Sequence, residues 1–246
     1  MMKEKKIVKV LSLAVLLVFG LNMIAPAYGA TVLVDFGNDT SYRGVSTPSP
    51  DLNGNSWNSV DSSIWNGGLV DISGNPTAMG LGFTAVAGTD YYNGPSWDVQ
   101  DPAAVVIDAA ALGNLGVNEA AYDYYVTSNF EVQGLDPSKT YNLTFYGAHI
   151  HNSDDTTVYS LYTDATHTSL IDSTSLNVWN DQPWMHNQNE VATISGVTGQ
   201  TGLYLGFIGA AGGDGYLNAM QIEEVPEPAT MALLFVGGLL VRKRRQ

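Results

Sequence analysis

The chain has 246 residues, ten lysines and arginines against twenty-four aspartates and glutamates, a formal net charge of −14, and no cysteine. Without cysteine there is neither a disulfide scaffold nor thiol chemistry, so a folded body must rest on its hydrophobic core. From Thr31 to Ile222 only Arg43 and Lys139 face twenty carboxylates, a formal charge of −18, which excludes nucleic acid and anionic membrane surfaces as partners of a basic patch.

At the N-terminus, Lys3, Lys5, Lys6 and Lys9 precede an apolar run from Val10 to Ile24, and Ala27-Tyr28-Gly29 offers small residues where a signal peptidase reads. This pattern predicts a signal peptide over 1–29, cut by signal peptidase after Gly29, with Ala27 as the second choice. Thr31-Val32-Leu33-Val34 follows at once in strand-like form, which speaks against an uncleaved anchor.

The body, 30–224, is long enough to bury about 70% of its unfolded surface around one core. Its Tyr- and Trp-rich windows, Tyr91-Tyr92, Tyr122 to Tyr125 and Trp179 to Trp184, follow β usage. Segments bounded by Gly, Asn, Asp, Pro and Ser predict strands at Val32 to Phe36, Gly80 to Val86, Ala104 to Ile107 and Tyr124 to Val132. Further strands are expected at Tyr141 to Ala148, Thr157 to Thr163, Glu190 to Ile194, Leu203 to Ile208 and Leu217 to Glu223. Alternation is clearest where Tyr141, Leu143 and Phe145 oppose Asn142, Thr144 and Tyr146, and Leu203, Leu205 and Phe207 repeat it. A tight turn is expected over Gly134 to Lys139, with Pro137 fixing its φ. The stretch 38–68 reads as a long loop carrying Trp57 and Trp65, and no internal repeat is visible. With no long amphipathic helix, the pattern predicts an all-β antiparallel sandwich.

The chain ends in Val225-Pro226-Glu227-Pro228, an apolar run from Ala229 to Val241, and Arg242-Lys243-Arg244-Arg245. The two prolines fix φ and remove two donors, leaving extended, accessible backbone. Thirteen apolar residues rise about 20 Å as a short hydrophobic helix, less than a bilayer span, so transient inner-membrane association is expected, with the cations on the cytoplasmic side. An ordinary C-terminal anchor or a buried helix is the plainer alternative. The three-part order resembles the PEP-CTERM sorting signal of Gram-negative envelope proteins. That resemblance implies recognition by an exosortase, a membrane protease-transpeptidase that cuts near the motif, and delivery of the body to the cell surface or extracellular matrix.

A second resemblance covers the body. Val34-Asp35-Phe36-Gly37, Gly134-Leu135-Asp136-Pro137-Ser138-Lys139-Thr140-Tyr141 and Gly215-Tyr216-Leu217-Asn218-Ala219-Met220-Gln221-Ile222 resemble jelly-roll sandwiches of the galactose-binding-domain-like and carbohydrate-binding-module type. The resemblance implies a jelly-roll-like architecture and leaves the ligand open, since such folds host unrelated functions.

No Gly-x-Ser-x-Gly elbow or phosphate-cradling loop is present. Asp164-Ala165-Thr166-His167 has the Asp-x-x-His spacing of SGNH-type esterases, yet their Gly-Asp-Ser nucleophile block is missing. The separation of about 5 to 10 Å between a glycosidase's paired carboxylates is invisible in sequence, and among twenty acids abundance selects no pair. His149 and His151, two apart on one strand face, with Asp154 and Asp155 beyond, form the sharpest metal candidate, weighed against an ordinary polar loop. No cofactor is required; a structural calcium ion suits the abundant oxygen ligands better than zinc. For glycan binding, Trp179, Asn180, Asp181 and Trp184 combine ring faces with hydroxyl partners in one loop, with Trp57, Trp65 and Trp97 as weaker choices. The resulting expectation is an exported, exosortase-processed, non-enzymatic module that binds extracellular polysaccharide or serves as a structural module, with a minor polysaccharide hydrolase or lyase as the alternative.

Overall fold

A computed structural model describes residues 29–37, 45–60, 65–83, 91–93, 105–149, 156–179 and 186–226. In chain order the strands are β1 (Thr31–Asp35), β2 (Asn58–Ser59), β3 (Asn66–Gly67), β4 (Gly80–Phe83), β5 (Tyr91–Asn93), β6 (Asp123–Val126) and β7 (Ser128–Gln133). They continue as β8 (Thr140–Tyr146), β9 (Thr156–Tyr162), β10 (Leu170–Asn177), β11 (Ala192–Thr198), β12 (Gly202–Gly209), β13 (Tyr216–Leu217) and β14 (Ala219–Val225). One sheet has the order β11-β8-β14-β1-β2, a second β10-β9-β12-β7-β4-β3, and a small third β13-β6-β5. Pairing is antiparallel throughout except between β1 and β2.

The period of two in the sequence explains the two large layers. Val32, Val34, Leu143, Phe145, Ile194, Met220 and Ile222 line the inner side of the five-stranded sheet. They share one core with Leu81, Phe130, Val132, Tyr159, Leu161, Leu203, Leu205 and Phe207 of the six-stranded sheet. Phe145 stacks on Tyr159 at 4.7 Å and 4°, and the Tyr159 hydroxyl donates to the Tyr216 carbonyl at 2.6 Å, so the ring buries without leaving its polar end unpaired. Burial raises the Tyr159 and Tyr146 phenols above their ordinary range.

The two layers differ on their outer sides. Over the five-stranded sheet, Leu33, Tyr146 and Ala219 form a second apolar cluster with Trp57, Val105, Leu112, Leu115 and Tyr122. The 105–122 segment that covers it holds the one helix among the described residues, α1 (Ala109–Leu112), whose N-terminal amides of Ala110 and Ala111 donate to Asp108 Oδ1, and a 3-10 turn over Gly113–Leu115. Asn114 in that turn donates to Gln221 of β14 at 3.0 Å. On the six-stranded sheet the outer positions of β7, β9 and β12 alternate with the buried ones and remain partly or fully exposed.

Four expectations change. Residues 105–107 are not a strand but lead into α1. The continuous strand expected over Tyr124 to Val132 is divided at Thr127, whose φ of 29° lies outside the β region and whose N–H donates to Gly215. Strand β10 was not expected at all, because its exposed edge position lets it be polar. The 38–68 stretch contains β2 and β3, and a recurring turn exists: Asp51 accepts from the amides of Asn53 and Asn55, and Asp71 accepts in the same way from Ser73 and Asn75. Gly54 and Gly74, with φ of 86° and 83°, close these two turns in the left-handed region that favours glycine. No helix among the described residues is long and apolar enough to cross a membrane.

Candidate functional site

The outer side of the six-stranded sheet carries a flat aromatic and polar face. Strand register places Gly82, Glu131, Tyr204 and Tyr162 in one line across β4, β7, β12 and β9. Beside it run Gly80, Gln133 and Gly202 on one flank, and Asn129, Gly206 and Ser160 on the other. The outward glycines act as seats for neighbouring side chains. A Cβ on Gly80 would fall 2.6 Å from Trp65 Cζ2, one on Gly82 2.5 Å from Cε3, and one on Gly67 3.2 Å from Nε1. The indole therefore lies along the strands on bare backbone, and 48% of Trp65 is exposed. Gln133 likewise lies over Gly202, and Asn129 Oδ1 sits 2.7 Å from where a Cβ of Gly206 would stand. Gln133 Nε2 donates to Glu131 Oε2 at 3.0 Å, which fixes both groups in the plane of the face.

His167 joins this face from the β9–β10 hairpin. Its φ of 54° is left-handed and costs backbone energy, yet Asp164 holds the loop by accepting from the amide of Thr166, both donors of Thr168 and the amide of Ser169. Hydrogen bonds, that from the Thr166 hydroxyl foremost, keep the Asp164 carboxyl well below the usual carboxylate range. The His167 ring meets Tyr162 edge-on at 4.9 Å and lies 6.5 Å from Tyr204, with its Nε2 shielded and without a hydrogen-bond partner. The Asp-x-x-His spacing is thus a loop device: Asp164 bonds backbone and hydroxyls.

Of the residues singled out in the sequence, Trp65 and His167 lie on this face and the others fall elsewhere. Trp179 is half-buried, with its amide donating to Asn177 Oδ1 and its Nε1 shielded without a partner; Asn180, Asp181 and Trp184 lie outside the described residues. Trp57 is a core residue whose Nε1 donates to Asp51 Oδ2 at 3.0 Å, and Trp97 lies outside the described residues. His149 is half-buried and stacked on Tyr216 at 4.0 Å and 9°, with Tyr124 edge-on at 5.3 Å. His151, Asp154 and Asp155 lie outside the described residues, among which no cluster of three or more His, Asp or Glu has metal-binding geometry. Val225 is the last residue of β14, Pro226 follows it exposed, and Glu227, Pro228, Arg242, Lys243, Arg244 and Arg245 lie outside the described residues.

Two acids, Asp35 and Asp123, are fully buried. Asp35 Oδ2 accepts from the Thr47 amide at 2.7 Å and the Ser59 hydroxyl at 3.1 Å, while Oδ1 has no partner. Burial pushes its carboxyl up to about 7 against the pull of those bonds. Asp123 packs directly on Gly37, where a side chain would collide with its carboxylate. At 0% exposure neither carboxyl meets solvent, so their chemistry is that of the interior.

Asn129, Glu131, Gln133, Tyr162 and Tyr204 escaped the sequence reading, which met His167 only in the Asp-x-x-His spacing. The available signal was the spacing of Gly80 with Gly82 and of Gly202 with Gly206 on alternating strands, which puts each pair on one face. Together, the layers define an antiparallel β-sandwich with one covered outer side and one outer side that bears the candidate face. Residues 224–245 match the PEP-CTERM protein-sorting motif, the mark of an exported protein processed by an exosortase and sent to the cell surface in Gram-negative bacteria. No curated protein matches the chain.

Proposed function

We propose that the body is a non-enzymatic glycan-binding module of the cell surface or polysaccharide matrix, and that it binds through the outer face of the six-stranded sheet. The observation that carries this reading is Trp65, laid flat over Gly67, Gly80 and Gly82 with about half its surface in solvent. A ring held this way offers one π face for the C–H side of a sugar, at little conformational cost because the ring is already seated. Glu131, Gln133 and Asn129 supply acceptors and donors for hydroxyls alongside it. Binding through these groups needs no cofactor.

The remaining parts of the reading fit. Eight strands run β1-β14-β8-β11 in one sheet and β7-β12-β9-β10 in the other, an order that supports a jelly roll. Removal of a signal peptide after Gly29 would leave Ala30 at the head of the body, where its carbonyl accepts from the Glu224 amide at 2.8 Å. The two buried acids are sealed from solvent, which favours a binder over a hydrolase.

Trp65→Ala should abolish retention of the protein on the producer's own polysaccharide while lowering the melting temperature only slightly. Gly82→Ala should have the same effect by lifting the ring. Retention on immobilised polysaccharide and thermal unfolding measure the two quantities; wild-type retention in both variants would remove the face from consideration, and new reducing ends on incubation would make the module an enzyme.

A further inference from the structure

We infer that this face takes an interior stretch of a polysaccharide free of carboxylate, sulfate and phosphate groups, an inference that rests on the glycan-binding reading above. The first argument is charge. In the three lines of outward residues, Glu131 is the one formally charged group. Of the two cations between Thr31 and Ile222, Lys139 is engaged with Glu224 at 3.2 Å on the other sheet, and Arg43 lies outside the described residues. Acidic sugars are held by guanidinium or ammonium groups, or by bound cations. Here a uronate or sulfate would meet Glu131 at the centre and a body of formal charge −18 around it. Uncharged hydroxyls reverse the sign of the argument: they donate to Glu131, and they exchange both roles with Gln133 and Asn129.

The second argument is shape. The line from Trp65 over Gly82 through Glu131 and Tyr204 to Tyr162 crosses β4, β7, β12 and β9, about 14 Å at the usual strand separation. That length holds several consecutive sugar rings. Tyr204 is flanked along its own strand by the outward glycines Gly202 and Gly206, and Gly80 and Gly82 lie beneath Trp65, so the face is built low and planar. Recognition of a chain end requires a closed pocket around one terminal sugar, whereas a planar strip with aromatic groups at both ends fits a polymer passing across it.

Affinity electrophoresis of the full chain tests both arguments, with a galactan, a β-glucan and a mannan as uncharged polymers and alginate and dextran sulfate as anionic ones. At least one uncharged polymer should retard the protein equally at low and high salt, and alginate and dextran sulfate should not. Trp65→Ala and Tyr204→Ala should each abolish the retardation. A hexasaccharide of the retarding polymer should compete at least about tenfold better than its monosaccharide. Trp65-dependent retardation by alginate or dextran sulfate would overturn the ligand class while leaving the face as the site. A monosaccharide competing as well as the hexasaccharide would overturn the interior reading. Absence of retardation by every polymer, with Trp65→Ala migrating as wild type, would overturn the site itself.

Discussion

Asp35 closes β1, where alternation turns it to the outer side of the five-stranded sheet beneath Thr47 and Ser59. Its carboxyl is raised from 3.8 to about 7, first by burial and last by the charge of Glu119. The folded state therefore holds a proton that the unfolded state releases, and the stability that proton carries is complete below about pH 4. It is lost as pH rises to about 7 and changes no further above that. At 1.36 kcal/mol per pH unit the loss amounts to about 4 kcal/mol. His186 acts with the opposite sign: burial holds it below its ordinary value, despite the 2.7 Å bond between Nε2 and the Val106 carbonyl, so acidification below about pH 6.5 weakens the fold. Asp35→Asn keeps an acceptor for Thr47 and Ser59 without a charge. It should flatten the decline in urea midpoint between pH 4 and 7 and leave the acid limb of His186 in place; an identical pH profile in the variant would show that Asp35 does not titrate in this window.

At the scale of elements, both large sheets end in a strand with an irregular ladder. Strand β10 shifts register between Leu170 and Asp172, and β11 does so between Ile194 and Val197, where Gly196 takes a φ of 76°. Bulges twist an edge away from a flat partner, and Asp172 adds a charge beside the exposed Leu170 and Ile171. Asp172→Val should therefore raise the sedimentation-averaged mass with concentration, against a wild type that stays at one value; equal behaviour would mean that the bulge alone protects the edge. The same strand shows where the sequence stopped being legible. Strands β8 and β12 were readable because their half-burial writes a period of two into Tyr141, Leu143, Phe145 and into Leu203, Leu205, Phe207. In β10 only Leu176 is fully buried, so no period was written. The break at Thr127 depends on Gly215, 88 residues away, which donates to the Thr127 hydroxyl at 2.8 Å. The candidate face was hidden for a related reason: Trp65 gains its meaning from Gly80 and Gly82, which reach it only through the pairing of β3 with β4. Taken alone, the Trp179 loop with its polar neighbours looked richer.

For the whole molecule, β14 ends the folded ladder at Val225, opposite Thr140, and the sorting motif begins there. Pro226 has no N–H to extend that ladder, so strand pairing stops within one residue of Val225. Pro226→Ala combined with Pro228→Ala should leave a precursor of unprocessed size in the membrane fraction, visible with an antibody to the body. Normal surface delivery of this variant would show that the exosortase does not need the prolines.

Strand β14 is bonded on both sides, to β8 through seven residue pairs and to β1 through five. Tension entering at Val225 pulls β14 along its own axis, so the hydrogen bonds of both ladders resist together rather than parting one after another from an end. The central placement of the last strand thus sets two ladders at once against any pull applied at the C-terminal end of the body.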